Sequence, residues 1–205
     1  MRGIFSKKLV LHVQESVDYK QEGKFLVPTL ADPLPALTDQ YLFGDFTLSL
    51  PDDEWRQLEF LPNAQVATIQ EMTNAITAIL TSTTNDQALL GYDTQHLRSD
   101  IGQYGLDIPF TEFCVLINSL EKGNISISQR GFVENGFAIR SDTYTYYGRL
   151  EDGRIRELAL QQFDSVDDEF VSVVSTYGLV LVDWCNANIL LHELNMDEAE
   201  TPVAI

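Results

Sequence analysis

Four aliphatic residues in a row, Leu179, Val180, Leu181 and Val182, followed by Asp183 and Trp184, make the most hydrophobic stretch of the chain. Cys185, Asn186, Ala187 and Asn188 come next, then a second apolar run from Ile189 to Leu191. A short aliphatic run beside an Asn-rich turn is the pattern of a buried hairpin. It predicts the centre of a core sheet here. With Asn186 and Ala187 as the loop, Cys185 faces Asn188, Trp184 faces Ile189 and His192 faces Leu181. One face then carries Leu179, Leu181, Asp183, Leu190 and His192. The other carries Val180, Val182, Trp184, Ile189, Leu191 and Glu193, and is the better core candidate.

Upstream, residues 6–13 alternate as a first strand, and 16–39, with Pro28, Pro33 and Pro35, read as a long surface loop. Residues 41–50 are strand-like with a break at Gly44, 51–55 form a turn, and 56–61 return as a strand. Val66, Ile69, Met72 or Thr73, Ile76, and Ile79 or Leu80 recur at helical spacing after Asn63, a candidate N-cap, so a helix is expected through residue 80 or 81. Residues 87–105 carry little pattern. A second helix is expected over 107–123, with Phe113, Leu116, Ile117 and Leu120 as its stripe and Gly123 as its C-terminal cap.

Strands follow around 125–128 and 137–140. Then Asp152-Gly153 sits between two strand-like runs, a type I′ hairpin signature that pairs Glu151 with Arg154 and Tyr147 with Leu158. Residues 165–177 fit a capped helix ending at Gly178, with a β-branched strand as the rival. The fold expected is α+β: a mainly antiparallel sheet built from hairpins, with two or three helices packed on one face. One globular domain spans 1–194, and 195–205 is an acidic, flexible tail.

At 205 residues and 44% hydrophobic, the chain can bury a full core. Two cysteines, Cys114 and Cys185, are too few for a secreted disulfide framework. Basic residues break the N-terminal apolar run, so no signal peptide is expected, and no stretch is long enough to span a bilayer. These point to a cytoplasmic protein. The formal charge is −18, and from Glu157 to Ile205 there are ten acids and no Lys or Arg. Such a field repels phosphate backbones and anionic headgroups, which argues against nucleic-acid and membrane partners. It favours encounter with a basic protein.

Phosphate loops, dinucleotide fingerprints, nucleophile elbows and Cys-x-x-Cys pairs are absent, and the three histidines lie far apart at 12, 96 and 192. No cofactor and no metal is expected. Cys185 and His192 could suggest a catalytic dyad, but the hairpin register separates them by about four rungs, roughly 13 Å. Asp183 and His192 survive as diagonal neighbours and as the weak catalytic candidates, though such pairs are more often structural. The Asp52, Asp53 and Glu54 run reads as a solvated turn with Trp55 folded back on the core. Tyr144 and Tyr146 share a strand face and are candidates for a partly exposed recognition surface. With Asp164, Asp167, Asp168 and Glu169 they form the binding residues expected. The leading function is an acidic binding protein docking a basic partner, in an inhibitor or immunity-type role. An enzyme with a carboxylate or histidine site, and a self-associating structural component, are the alternatives.

Overall fold

The computed structural model describes residues 24–83, 91–99 and 105–190. The expected first strand at 6–13, His192 and the tail at 195–205 lie outside them. Strands β1 (Thr29–Ala31), β2 (Leu37–Thr38), β3 (Phe46–Leu50) and β4 (Leu58–Pro62) precede helix α1 (Val66–Ser82). Next come β5 (His96–Arg98), β6 (Ile108–Pro109) and helix α2 (Phe110–Leu116). Five strands follow: β7 (Glu121–Ile127), β8 (Phe132–Val133), β9 (Gly136–Arg140), β10 (Thr145–Glu151) and β11 (Arg154–Leu160). Helix α3 (Asp168–Tyr177), β12 (Leu179–Asp183) and β13 (Asn188–Ile189) complete the order. The fold is α+β with a mostly antiparallel sheet, in the order β13-β12-β4-β11-β10-β9-β7-β8-β2. Strand β3 adds to β7 in parallel, β6 pairs with β11, and β1 and β5 form a separate parallel pair.

The sheet is apolar on both faces because both are covered, one by two helices and the other by a third helix together with Trp55 and Ala31. Phe113 of α2 and Phe170 and Val173 of α3 pack on Phe60, Tyr146, Leu158 and Leu181. Ile69 and Ile76 of α1 pack on the opposite face, against Leu61, Val180, Val182 and Trp184. Two helices therefore share one face, as expected, while the third lies across the sheet from them. Alternation along β12 explains this arrangement. Leu179 and Leu181 point to one layer and Val180 and Val182 to the other, as in strands buried on both sides. Both faces of the 179–184 run are core. The run is nevertheless not central: β12 is second from one edge, and β10 and β11 hold the middle.

Several local expectations shift for identifiable reasons. The segment at 165–177 is helix, not strand, but only over Asp168–Tyr177: the cap is Asp167 rather than residue 165, accepting the Phe170 N–H at 2.8 Å, and Gly178 ends it at φ 62°. Helix α2 stops well before Gly123, because Asn118 takes φ 48° and the chain turns into β7, where Gly123 lies. The expected loop at 16–39 contains β1 and β2, and the weak 87–105 region supplies β5.

The Asp152-Gly153 hairpin keeps its Glu151–Arg154 pair, but Tyr147 faces Ala159 rather than Leu158. The pairing runs Arg149 to Glu157, then Leu150 to Ile155, so Arg156 is the extra residue of a β-bulge. The bulge lets Leu150 and Ile155 both join the layer under α2 and α3. Arg156 turns out to Asp107 and Glu151.

Candidate functional site

Antiparallel register brings one end of four strands together. Leu58, which opens β4, pairs with Asp183 at the end of β12 and with Leu160 at the end of β11. Leu160 pairs with Tyr146 of β10, and the Gln161 N–H donates to the Thr145 carbonyl. The turns leaving this end carry Asp53 and Glu54 before β4, Asp142 before β10, Asp164 after β11 and Asn186 after β12. The N-terminus of α3 comes to the same end, because Tyr146 and Ser141 both donate to Glu169 Oε1, at 2.9 and 2.7 Å.

That junction is tightly bonded. The Tyr144 hydroxyl donates to the Ser165 carbonyl at 2.7 Å, and Ser141 Oγ accepts the Tyr144 N–H at 2.9 Å. Burial raises the Glu169 carboxyl above its usual range. Ser141 and Tyr146 oppose that shift, and the Asp167 and Asp142 charges add to it. At Asp167 burial works against the carboxylate, but hydrogen bonds from the Phe170 N–H, Thr143 and Tyr144 outweigh it and hold the group low. Burial, with the Glu169 charge next, pushes the Tyr146 hydroxyl far up, so it stays a donor. A small polar depression of about 100 Å³ opens here, lined by Thr143, Tyr144, Thr145, Gln161, Gln162, Asp164 and Ser165.

The tyrosines are not partly exposed as expected. Tyr144 and Tyr146 are buried in the layer under α2 and α3, and Tyr147 is buried on the opposite face, 5.6 Å from the Trp55 ring. Because a layer covers each face of the sheet, neither set is left exposed. Asp164 and Asp168 remain at the surface, and Asp167 and Glu169 are half-buried.

The Asp183 expectation also changes. Val182 pairs with Ile189 and Asp183 with Asn188, a two-residue shift that makes 184–187 the loop, with Ala187 at φ 53°. Trp184 is thereby released inward, where its ring lies 4.6 Å from the Arg98 guanidinium and its Nε1–H donates to Glu59 at 2.9 Å. The Asp183 carboxylate accepts from the Asn186 N–H at 3.0 Å and from Asn186 Nδ2 at 2.6 Å. It is a turn-holding group. His192 lies outside the described residues. Burial first, then the Asp183 charge, pushes the Cys185 thiol up to about 11, so it is no ready nucleophile.

Sequence reasoning missed a buried ionic cluster. Glu59 accepts from Arg98 and pairs with Arg56 at 3.1 Å, and Arg56 reaches Glu157 at 2.7 Å. Glu157 also takes a two-pronged contact from Arg149, at 2.7 and 2.5 Å. Burial lowers Arg98 to about 10, with Glu59 pulling it back up, so the guanidinium is charged at neutral pH. Gln57 and Glu59 alternate with Leu58 and Phe60, which in sequence reads as an ordinary solvated strand face. The covering by β1, β5 and Trp184 turns that face inward.

Among the described residues, no group of three His, Cys, Asp or Glu is placed to hold a metal ion. No helix among them is long and apolar enough to cross a membrane. Comparison with protein-family models, with curated proteins and with solved structures returns no match. The fold defines the class, an α+β protein with a two-faced sheet.

Proposed function

We propose that this is an acidic binding protein of the cytoplasm, in which the end of the sheet bearing the α3 N-terminus docks a basic protein partner, in an inhibitor or immunity-type role. One observation carries the reading. Every described arginine is already in an ion pair within the fold. Asp142, Asp164 and Asp168 have no such pair among the described residues; Asp164 lines the polar depression, Asp167 bonds to its Thr143 and Tyr144, and Asp142 and Asp167 act on Glu169 beside it. An acidic patch in a fold whose described arginines are paired elsewhere attracts and orients a positive surface. The enzyme alternative is weakened, since Asp183 is held by Asn186 and Cys185 is protonated.

The test is an NMR titration of the labelled protein with a deca-arginine peptide. The reading expects amide shifts centred on residues 142 and 164–169 at low salt, lost at about 0.5 M, where the screening length falls to a few ångströms. Replacing Asp142, Asp164 and Asp168 together by Asn should weaken binding at least tenfold. Shifts scattered evenly over the surface, or none, would overturn it.

A further inference from the structure

A second pocket lies at the same end of the sheet, between the turn before β4 and the turn after β12. It has a volume of about 260 Å³ and shares Gln161 with the polar depression beside α3. Sites for drug-sized ligands and cofactors run from about 300 to 1,000 Å³, so this one is sized for a single side chain. Its walls include Leu50, Leu58 and Leu160, and Glu54 and Asp183 bring carboxylates to it. No Lys or Arg lines it. Gln57, 8% exposed, also lines it, and its Nε2 donates to the Thr29 and Asp53 carbonyls. The pocket therefore offers apolar walls and two carboxylates. That is what the methylene stem and charged head of a long basic side chain require.

We infer that this pocket takes one cationic side chain, arginine or lysine, from a basic partner polypeptide. The inference rests on the docking reading above and names the anchor within it. The surface carboxylates beside α3 steer a basic chain to this end, and the pocket seats one residue of it. A cation gains more in a partly desolvated pocket than on an open surface, so the anchor carries more of the specificity.

The test uses three short peptides, acetyl-Gly-Arg-Gly-amide and the same with Lys or citrulline, together with deca-arginine. Binding is read by amide shifts at Leu58, Gln161 and Asn186 and by protection of Cys185 from alkylation; Cys114, also a free thiol but buried, is the internal control. The Arg or Lys peptide should shift these amides and slow Cys185 alkylation at least threefold, and Glu54→Gln should weaken that peptide at least fivefold. Citrulline should do nothing. Equal effects from citrulline, or equal affinity for free spermidine, would overturn the inference. If deca-arginine shifts residues 142 and 164–169 but leaves Leu58 and Asn186 unmoved, the pocket inference fails and the docking reading stands. If deca-arginine binds nowhere, both fail.

Discussion

Glu59 Oε2 lies 2.7 Å from Arg98 Nη1 in the interior, with the two side chains only 6% and 1% exposed. The same carboxylate oxygen accepts from Trp184 Nε1, and the Arg98 guanidinium covers that indole ring. One acid thus joins β4, β5 and the loop after β12. Glu59 has a second buried partner, Arg56 at 3.1 Å, so losing Arg98 removes the 2.7 Å pair and the cover over the indole without leaving the acid unmatched. Arg98→Met should therefore destabilise, toward the lower end of the roughly 3–5 kcal/mol that breaking a buried pair costs, read as a lower midpoint in urea unfolding. Adding Glu59→Gln to Arg98→Met should cost more again, since buried Arg56 is then left sharing Glu157 with Arg149. A double variant as stable as Arg98→Met would show that Glu59 acts through Arg98 alone.

The same cluster shows what a sequence reveals and what it hides. Leu179 to Val182 announces a buried strand by composition alone, and Asp152-Gly153 announces a hairpin by turn chemistry. Gly178 marks the end of α3, while its start, expected at residue 165, falls at the Asp167 cap. Each of these signals is local. The register after residue 183 depends on Trp184 finding Arg98 and Glu59, residues far away in the chain. The Tyr144 and Tyr146 expectation failed for the same reason: whether a strand face is covered depends on which helices return to it. The acidic candidates Asp164, Asp167, Asp168 and Glu169 did come together, because they are near neighbours in sequence at one helix start. The pocket between residues 54–58 and 183–186 joins segments with no shared local pattern.

Glu169 gives a pH-dependent prediction. Its carboxyl is raised in the fold above the ordinary 4.5, with burial as the main cause. The folded state then holds this proton more tightly than the unfolded chain does. Its contribution favours folding at low pH and is lost as pH rises through the raised value. Glu169→Gln keeps an oxygen to accept from Ser141 and Tyr146 and removes the repulsion with Asp167 and Asp142. The Gln variant should match the parent near pH 4 and become relatively more stable toward pH 8, by thermal melting across that range. Glu169→Ala should lose stability at every pH, by about 1–3 kcal/mol, because the buried Tyr146 hydroxyl loses its acceptor. An unchanged gap between Gln variant and parent across pH would remove the electrostatic account.

The α3 N-cap supplies a smaller, cleaner effect. Asp167 Oδ1 accepts the Phe170 N–H at 2.8 Å. Losing such a cap typically costs about 1 kcal/mol, within 0.5–2. Asp167→Ala should fall in that range and Asp167→Ser should restore most of it. If Ser is as poor as Ala, the residue's value lies in its contacts with Thr143 and Tyr144 instead of in the cap.

Two glycines should respond to the same methyl group by very different amounts. Gly178 ends α3 at φ 62°, and a Cβ there would meet nothing within 4 Å. Its substitution by Ala costs only the left-handed backbone, about 1 kcal/mol, and Asn should be better tolerated than Ala. Gly148, in the middle of β10, has an ordinary φ, but a Cβ would sit 1.8 Å from the Glu157 carbonyl oxygen. Here the obstacle is backbone of the paired strand, which cannot move without opening the β10–β11 ladder beside the bulge. Gly148→Ala should therefore cost more than about 3 kcal/mol, beyond the usual range for an inserted methylene. Circular dichroism during urea unfolding distinguishes the two. A Gly148→Ala protein as stable as Gly178→Ala would mean that β10 and β11 are not this close at residue 148.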